Sequence, residues 1–170
     1  MAVRTFLTGM GGFVRLKRSV AVLSGAAMVL GAVVSVGTSA QAATSKCNNR
    51  VSMTGYLGGG VYGLSEVPSY GSNTGCTLSL NANTGTDPGT SPVYWLQYNL
   101  NKCYGRSLTI DGVYGAKTVA AVKYAQSTVP GLTQDGVNGP NTRSAIKWDT
   151  EHTGAHGAVT RACLSFSQLK

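Results

Sequence analysis

Acid is scarce in this chain. Its 170 residues include six carboxylates, Glu66, Asp87, Asp111, Asp135, Asp149 and Glu151, against 14 lysines and arginines. Several of the six sit in turn-forming contexts, and no compelling acid pair of the kind that cleaves glycosidic bonds stands out. Histidine is scarcer still, at two. A catalytic zinc centre needs three protein ligands and an open position, so the pair falls short. No G-x-S-x-G run marks a hydrolase nucleophile. There is one long apolar run and no second, which excludes a multi-span membrane protein. The cations are scattered rather than striped, which disfavours nucleic acid as a partner.

What is present begins with an export signature. Arg4, Arg15, Lys17 and Arg18 stand in an acid-free start, an apolar run "VAVLSGAAMVLGAVVSV" follows, and "SAQAA" places Ala40 and Ala42 at signal-peptidase spacing. That order predicts a secretory signal peptide over 1–42, cleaved after Ala42, with no membrane attachment afterwards. Four cations and no acids leave with it, so the net charge falls from +8 to +4. Mild positive charge gives at most a weak attraction to anionic wall polymers.

All four cysteines, Cys47, Cys76, Cys103 and Cys163, lie in the exported part. An even count in a small secreted chain reads as two disulfides. Three pairings are possible. Cys47–Cys76 and Cys103–Cys163 are expected, because the first pair brackets the N-terminal segment and the second brackets the region that follows.

Residues 43–90 are rich in Gly, Ser, Asn and Thr, with "YLGGGVYG" and "NANTGTDPGTSP". They lack helical periodicity. "RVSMTGYL" and "GCTLSL" alternate well enough for short strands, and the rest reads as loop. At Ser91-Pro92 the texture changes. Serine caps and proline suits a first helical position, and Val93, Leu96 and Leu100 follow at helical spacing, predicting a helix to about Lys102. A second helix is expected from Ala116 to Thr128 and a third from Pro140 to about Trp148, with Ala145, Ile146 and Trp148 inward. Residues 150–170 read as a tail tied back by Cys163.

The loops before the second and third helices are nearly the same. Aligning 108–122 with 132–146 gives eight identities in 15 positions. Asp111-Gly112 and Asp135-Gly136 are turn formers, Val113 and Val137 read as returning to the core, and Gly115 and Gly139 precede helix starts. Tyr114 and Asn138 break the repeat at positions that read as exposed, where ligand specificity would live. Helices of about ten residues are marginal alone, so they must pack together. The fold class expected is therefore mainly α, a small three-helix bundle over 91–149, preceded by an irregular Gly-rich segment with short β-strands and stapled by two disulfides.

The run from Trp95 to Ile146 resembles the bacterial peptidoglycan-binding domain family. The matching residues are Leu96-Gln97 and Leu100, then Asp111-Gly112, Tyr114-Gly115, Thr118, Ala121-Val122 and Gln126, then Leu132, Asp135-Gly136, Gly139-Pro140 and Thr142. Ala125 departs from the aromatic residue usual before the glutamine, and Cys103 is an addition. The resemblance implies a three-helix bundle that recognises cell-wall peptidoglycan, through stem peptide or glycan.

These readings converge on a secreted, monomeric, non-catalytic peptidoglycan-binding protein without cofactor. The candidate ligand residues are Tyr114, Asn138, Asp111, Asp135, Tyr98 and Tyr124, with Asp111 and Asp135 serving mainly as turn residues. Two alternatives are a wall amidase or peptidase holding a metal on His152 and His156, which have the i, i+4 spacing of a helical pair, and an interaction or inhibitor module built on the Cys47–Cys76 segment.

Overall fold

The structure is a computed structural model that describes residues 45–170, so the expected signal segment lies outside the described residues. Three successive glycines turn the chain early. Gly58, Gly59 and Gly60 hold positive φ, at 99°, 57° and 82°, a region that strains any side chain. They close a hairpin between β1 (Asn49–Gly58) and β2 (Val61–Ser69), in register from Asn49 opposite Ser69 to Tyr56 opposite Tyr62. Side chains alternate across the pleat, with Val51, Met53 and Val67 on the core side, but near the turn the usual polarity is inverted. Gly55, Gly63, Ser65 and Val67 point inward and are buried, while Tyr56, Tyr62 and Leu64 point outward and are more than half exposed. The inner face has little room. A Cβ on Gly55 would lie 2.5 Å from Leu164 Cδ1, and one on Gly63 would lie 2.8 Å from the Glu151 carbonyl oxygen.

A second hairpin pairs β3 (Lys147–Thr153) with β4 (Val159–Ser165), from Lys147 opposite Ser165 to Thr153 opposite Val159. The hairpins join through Leu64 opposite Glu151, giving one antiparallel sheet in the order β1-β2-β3-β4. The end of the chain then returns to β1, where Thr54 and Lys170 exchange backbone hydrogen bonds of 2.8 and 2.9 Å. The free edge of β1 is thereby covered in part.

Three helices fill the connection from β2 to β3. They are α1 (Pro92–Tyr104), α2 (Ala116–Ser127) and α3 (Pro140–Ala145). Ser91 caps α1 by accepting the Tyr94 amide at 3.1 Å, and Gly105 ends it at φ 60°. Val93, Leu96, Leu100, Val122, Ala125, Ile146 and Trp148 form the core with Val67, Leu78 and Leu169. Among the described residues no helix is long and apolar enough to cross a membrane.

The expectation of a mainly α three-helix bundle is therefore corrected, because strand outweighs helix. The third helix stops at Ala145. Ile146 and Trp148 are buried as expected, yet Trp148 belongs to β3. The stretch read as a tail is the end of β3 together with β4 and a closing turn of 3-10 helix, and "VYGLSEVPS", read as loop, is β2. "GCTLSL" makes isolated bridges instead of a strand. "RVSMTGYL", read as a strand from its alternation, lies within β1, with Val51 and Met53 packed against the core. The other three strands escaped the pattern argument, in β2 because Gly63 and Ser65 hold inward positions. The disulfides join Cys47 to Cys76 and Cys103 to Cys163. The second ties α1 to β4.

One buried cation holds the N-terminal segment to the helical part. Arg143, on α3, is 1% exposed. Its Nη1 donates to the carbonyls of Thr74 and Cys76, and its Nη2 donates to the carbonyl and Oδ1 of Asn138 at 3.2 and 2.9 Å. Burial lowers its pKa from the usual arginine range to about 10, so it remains charged at neutral pH, held by carbonyl oxygens and, at 3.4 Å, by Cys47 Sγ, with no carboxylate partner among the described residues. Arg143→Met strands those acceptors, and urea denaturation should show a loss of about 3 kcal/mol or more. Arg143→Lys, lacking the planar fork, should recover only part of it.

Candidate functional site

The two similar loops share one set of hydrogen bonds, and it is structural. Gln97 of α1 reaches into the first loop, where its Nε2 donates to Asp111 Oδ1 at 2.7 Å, to the Val113 carbonyl at 3.0 Å and to Thr118 Oγ1 at 3.2 Å. Its Oε1 accepts the amides of Asp111 and Gly112 at 3.1 and 2.9 Å. Gln126 of α2 does the same for the second loop. It donates to Asp135 Oδ1, the Val137 carbonyl and Thr142 Oγ1 at 2.7, 3.1 and 2.9 Å, and accepts the Gly136 amide at 2.9 Å. Each aspartate also accepts the amide two residues on, at 2.9 Å for Val113 and 2.8 Å for Val137. Gln97's amide is the main reason the Asp111 carboxyl is held below its ordinary value. Both glutamines are buried.

Beyond each turn the side-chain phase is opposite to the one the sequence suggests. Tyr114 and Asn138 are fully buried, and Val113 is exposed. The cause is the segment from Leu78 to Gly85, which lies across both loops. Leu78 and Asn138 exchange backbone hydrogen bonds of 3.0 and 2.9 Å, the Tyr114 amide donates to the Ala82 carbonyl at 2.7 Å, and the Thr84 amide donates to the Gly112 carbonyl at 3.0 Å. Tyr114 O–H then donates to the Gly136 carbonyl at 2.9 Å, linking the loops. Burial pushes the Tyr114 phenol far above its ordinary range. The reading of Tyr114 and Asn138 as an exposed specificity pair is corrected, since both are core residues.

A concave surface larger than the one beside the first stapled loop lies elsewhere, on the outward face of the sheet where it meets α1. There β2 and β3 touch only near Leu64 and Glu151. Toward the start of β3, Asn99 of α1 replaces the missing strand. Its Nδ2 donates to the Lys147 carbonyl at 3.1 Å, and its Oδ1 accepts the Asp149 amide at 2.6 Å. The gap is a groove of about 490 Å³. Trp95 and Tyr98 line it from α1, Tyr62, Leu64 and Glu66 from β2, and Asp149, Glu151 and His152 from β3. Period-two alternation puts Asp149 and Glu151 on the same face.

Trp95 is held before any ligand arrives. Its indole N–H donates to the Pro88 carbonyl at 2.7 Å, and Asp87 staples that turn by accepting the Gly89 amide at 2.8 Å and the Thr90 hydroxyl at 2.9 Å. The ring meets Tyr98 edge-on, with centroids 5.3 Å apart. Behind Tyr98, Arg161 of β4 donates to Glu151 and, at 3.1 Å, to the Tyr98 hydroxyl. Arg161 holds the Glu151 carboxyl below its ordinary range. Burial pushes the Asp149 carboxyl up, and Arg161 only partly offsets it. Burial also raises Tyr98.

Of the ligand residues singled out from sequence, the structure brings only Tyr98 to this groove, where His152, singled out for a metal, also lies. Asp111 and Asp135 are exposed turn staples. Tyr124 is exposed, with the Arg106 guanidinium 3.8 Å from its ring centroid, and lines a separate depression with Tyr104 and Lys147. His152 is in β3 and His156 in the following turn at φ 91°, so the helical spacing argument for a metal pair does not apply. Asp149 lies close to Cys103 and Cys163, but those sulfurs are bonded to each other. Trp95, Asp149, Glu66 and Tyr62 were not chosen from sequence. The available signal was arithmetic: with three of six acids spent on turns, the other three needed a reason to be there.

Residues 89–147 match the family model described as "Putative peptidoglycan binding domain", the family that the quoted motifs resemble. No curated protein matches the chain, and no solved structure does. The matched segment covers α1, α2, α3 and both stapled loops, and it carries Trp95, Tyr98 and Asn99 into the groove.

Two predictions follow the hydrogen bonds and charges described above. A Cβ on Gly112, whose φ is 69°, would lie 1.7 Å from the Gly85 carbonyl oxygen, so Gly112→Ala should prevent folding or cost several kcal/mol, about 3 or more, in chemical denaturation. Asp111 and Asp149 should titrate stability in opposite senses. Asp111, depressed, contributes stability at and above the ordinary carboxylate range that is lost as pH falls through its folded value. Asp149, raised, penalises folding as pH rises through its folded value. Asp149→Asn should therefore raise the melting temperature at neutral pH, and the gain should shrink in acid.

Proposed function

We propose that this is a secreted, non-catalytic peptidoglycan-binding protein and that the groove between α1 and the sheet is where it holds the wall. The observation that carries the reading is the peptidoglycan-binding family match over 89–147, because that segment supplies one wall of the groove. Two disulfides support residence outside the cell. The groove itself supports binding. It is concave, part aromatic and part polar, with its main platform fixed in advance. Asp111 and Asp135 serve as framework of the helical segment and Tyr124 lies away from the groove, while Tyr98 faces the ligand. The partner is the peptidoglycan polymer, with weak non-specific help from anionic wall polymers.

Co-sedimentation with purified sacculi tests this directly. Capture should persist at high salt, since screening removes only surface charge attraction. Trp95→Ala combined with Tyr98→Ala should reduce capture about tenfold or more, with a melting temperature close to that of the parent. Prolonged incubation should release neither reducing ends nor free amino groups. Release of either, abolished by Asp149→Asn, would make the protein a hydrolase.

A further inference from the structure

Resting on the peptidoglycan reading above, we infer that the groove takes the glycan strand and not the stem peptide: an N-acetylated amino-sugar ring lies against Trp95 and donates a hydrogen bond from a hydroxyl or amide N–H to the Asp149 carboxylate at the groove floor.

Asp149 is the reason for a donor. Its side chain is 7% exposed, yet none of the hydrogen bonds among the described residues reaches its carboxylate. The nearest cation, Arg161 Nε, stands 3.8 Å away, beyond hydrogen-bond distance. Every other carboxylate of the chain is engaged. Asp87, Asp111 and Asp135 staple turns, Glu66 accepts from Arg50 and Ser52, and Glu151 accepts from Arg161 and Tyr98. The Asp149 oxygens are not sealed in the interior but face the groove, ion-paired with Arg161 and free of hydrogen bonds within the described residues. Such an acceptor on the floor of a groove is a place for a ligand's donor, and the stability that its charge costs is the mark of a residue kept for binding.

The charge and shape of the groove select the kind of donor. Three of the six carboxylates line it. Arg50 pairs with Glu66 and Arg161 with Glu151, so the charge left at the floor is that of Asp149, an acceptor that favours a neutral donor such as the hydroxyl or acetamido N–H of a glycan over the terminal carboxylate of a stem peptide. Trp95 and Tyr98 meet at 69°, forming a corner, with Tyr62 across the groove. Flat faces of this kind match the C–H face of a pyranose, whose equatorial hydroxyls and acetamido N–H then point sideways to an acceptor. A box of rings closed around a point cation would suit an ammonium, and this groove is open. Half of the arrangement, Tyr62 and the carboxylates of β2 and β3, lies outside the matched 89–147 segment, so the sheet adds the specificity.

The test uses the mature protein with short N-acetylglucosamine oligomers, followed by tryptophan fluorescence and calorimetry, beside a free stem peptide carrying a diamino acid. The oligomers should bind and the peptide should not. Trp95→Ala and Asp149→Asn should each weaken oligomer binding about tenfold or more, while Asp149→Asn keeps or raises the melting temperature, an outcome that a structural role for Asp149 would not give. Trp95→Phe serves if the alanine variant fails to fold, and should lose less. Tyr124→Ala should bind like the parent. Sacculus capture without oligomer binding overturns the glycan assignment and leaves the peptidoglycan reading standing. Binding of the diamino peptide in place of the oligomers overturns it in favour of an ammonium ligand. Oligomer binding without sacculus capture supports the sugar site and removes the peptidoglycan reading, and failure of both assays removes both.

Discussion

The structure depends on how Arg143 is held. A guanidinium in the interior is costly unless its donors are met, and here oxygens from two distant parts of the chain meet both terminal nitrogens, leaving only Nε without a partner. Thr74 and Cys76 belong to the first disulfide loop, and Asn138 belongs to the second stapled turn. The arginine is therefore the joint between a Gly-rich segment that has little apolar surface of its own and a helical segment that has most of it. The buried phenol of Tyr114 reaches the same neighbourhood through the Gly136 carbonyl. Remove the cation and the strap over both turns loses its anchor; the strap in turn is what buries Tyr114 and Asn138.

Around that joint, polar side chains do much of the work that apolar packing does in larger domains. Gln97 and Gln126 each satisfy the backbone of a tight turn from inside the fold. Asn99 completes the β3 ladder where β2 diverges, and the Ser65 hydroxyl donates to the Asp149 carbonyl at 2.8 Å. Buried networks of this kind are favourable only when fully paired. The one floor carboxylate left without a hydrogen bond, that of Asp149, lies where the sheet parts from itself. The groove is thus a consequence of the same divergence that forces Asn99 into the ladder.

The helical part was legible because its signals are local. Ser91-Pro92, the Asp-Gly turns and the glycines before α2 and α3 act within a few residues, and α1 and α2 begin and end close to where the sequence puts them. Of the sheet only β1 was legible, from the alternation of Val51 and Met53 with polar neighbours. Closer to the hairpin turn Gly55, Gly63 and Ser65 hold inward positions, and a Cβ on Gly55 or Gly63 would collide with what faces it, so hydrophobic alternation, the usual mark of a strand, is lost there. Tyr114 and Asn138 were misplaced for a different reason. Nothing within the repeat reveals that residues 78–85 will cover it, and a turn judged from its own sequence looks exposed. Trp95 and the acids of β3 were overlooked because the groove needs α1 beside β2 and β3, a juxtaposition set only by tertiary structure.

The placement of all three helices between β2 and β3 governs how the chain can assemble. The first hairpin can form early, but its partner strand is not made until the entire helical segment has followed, and Thr54 waits for the last residue, Lys170, to complete its pairing. Contacts that span so much of the sequence impose loop-closure entropy before they return any stability, and topologies of this type reach the native state slowly. Throughout that interval the outward Tyr56, Tyr62 and Leu64 stand on an unpaired edge.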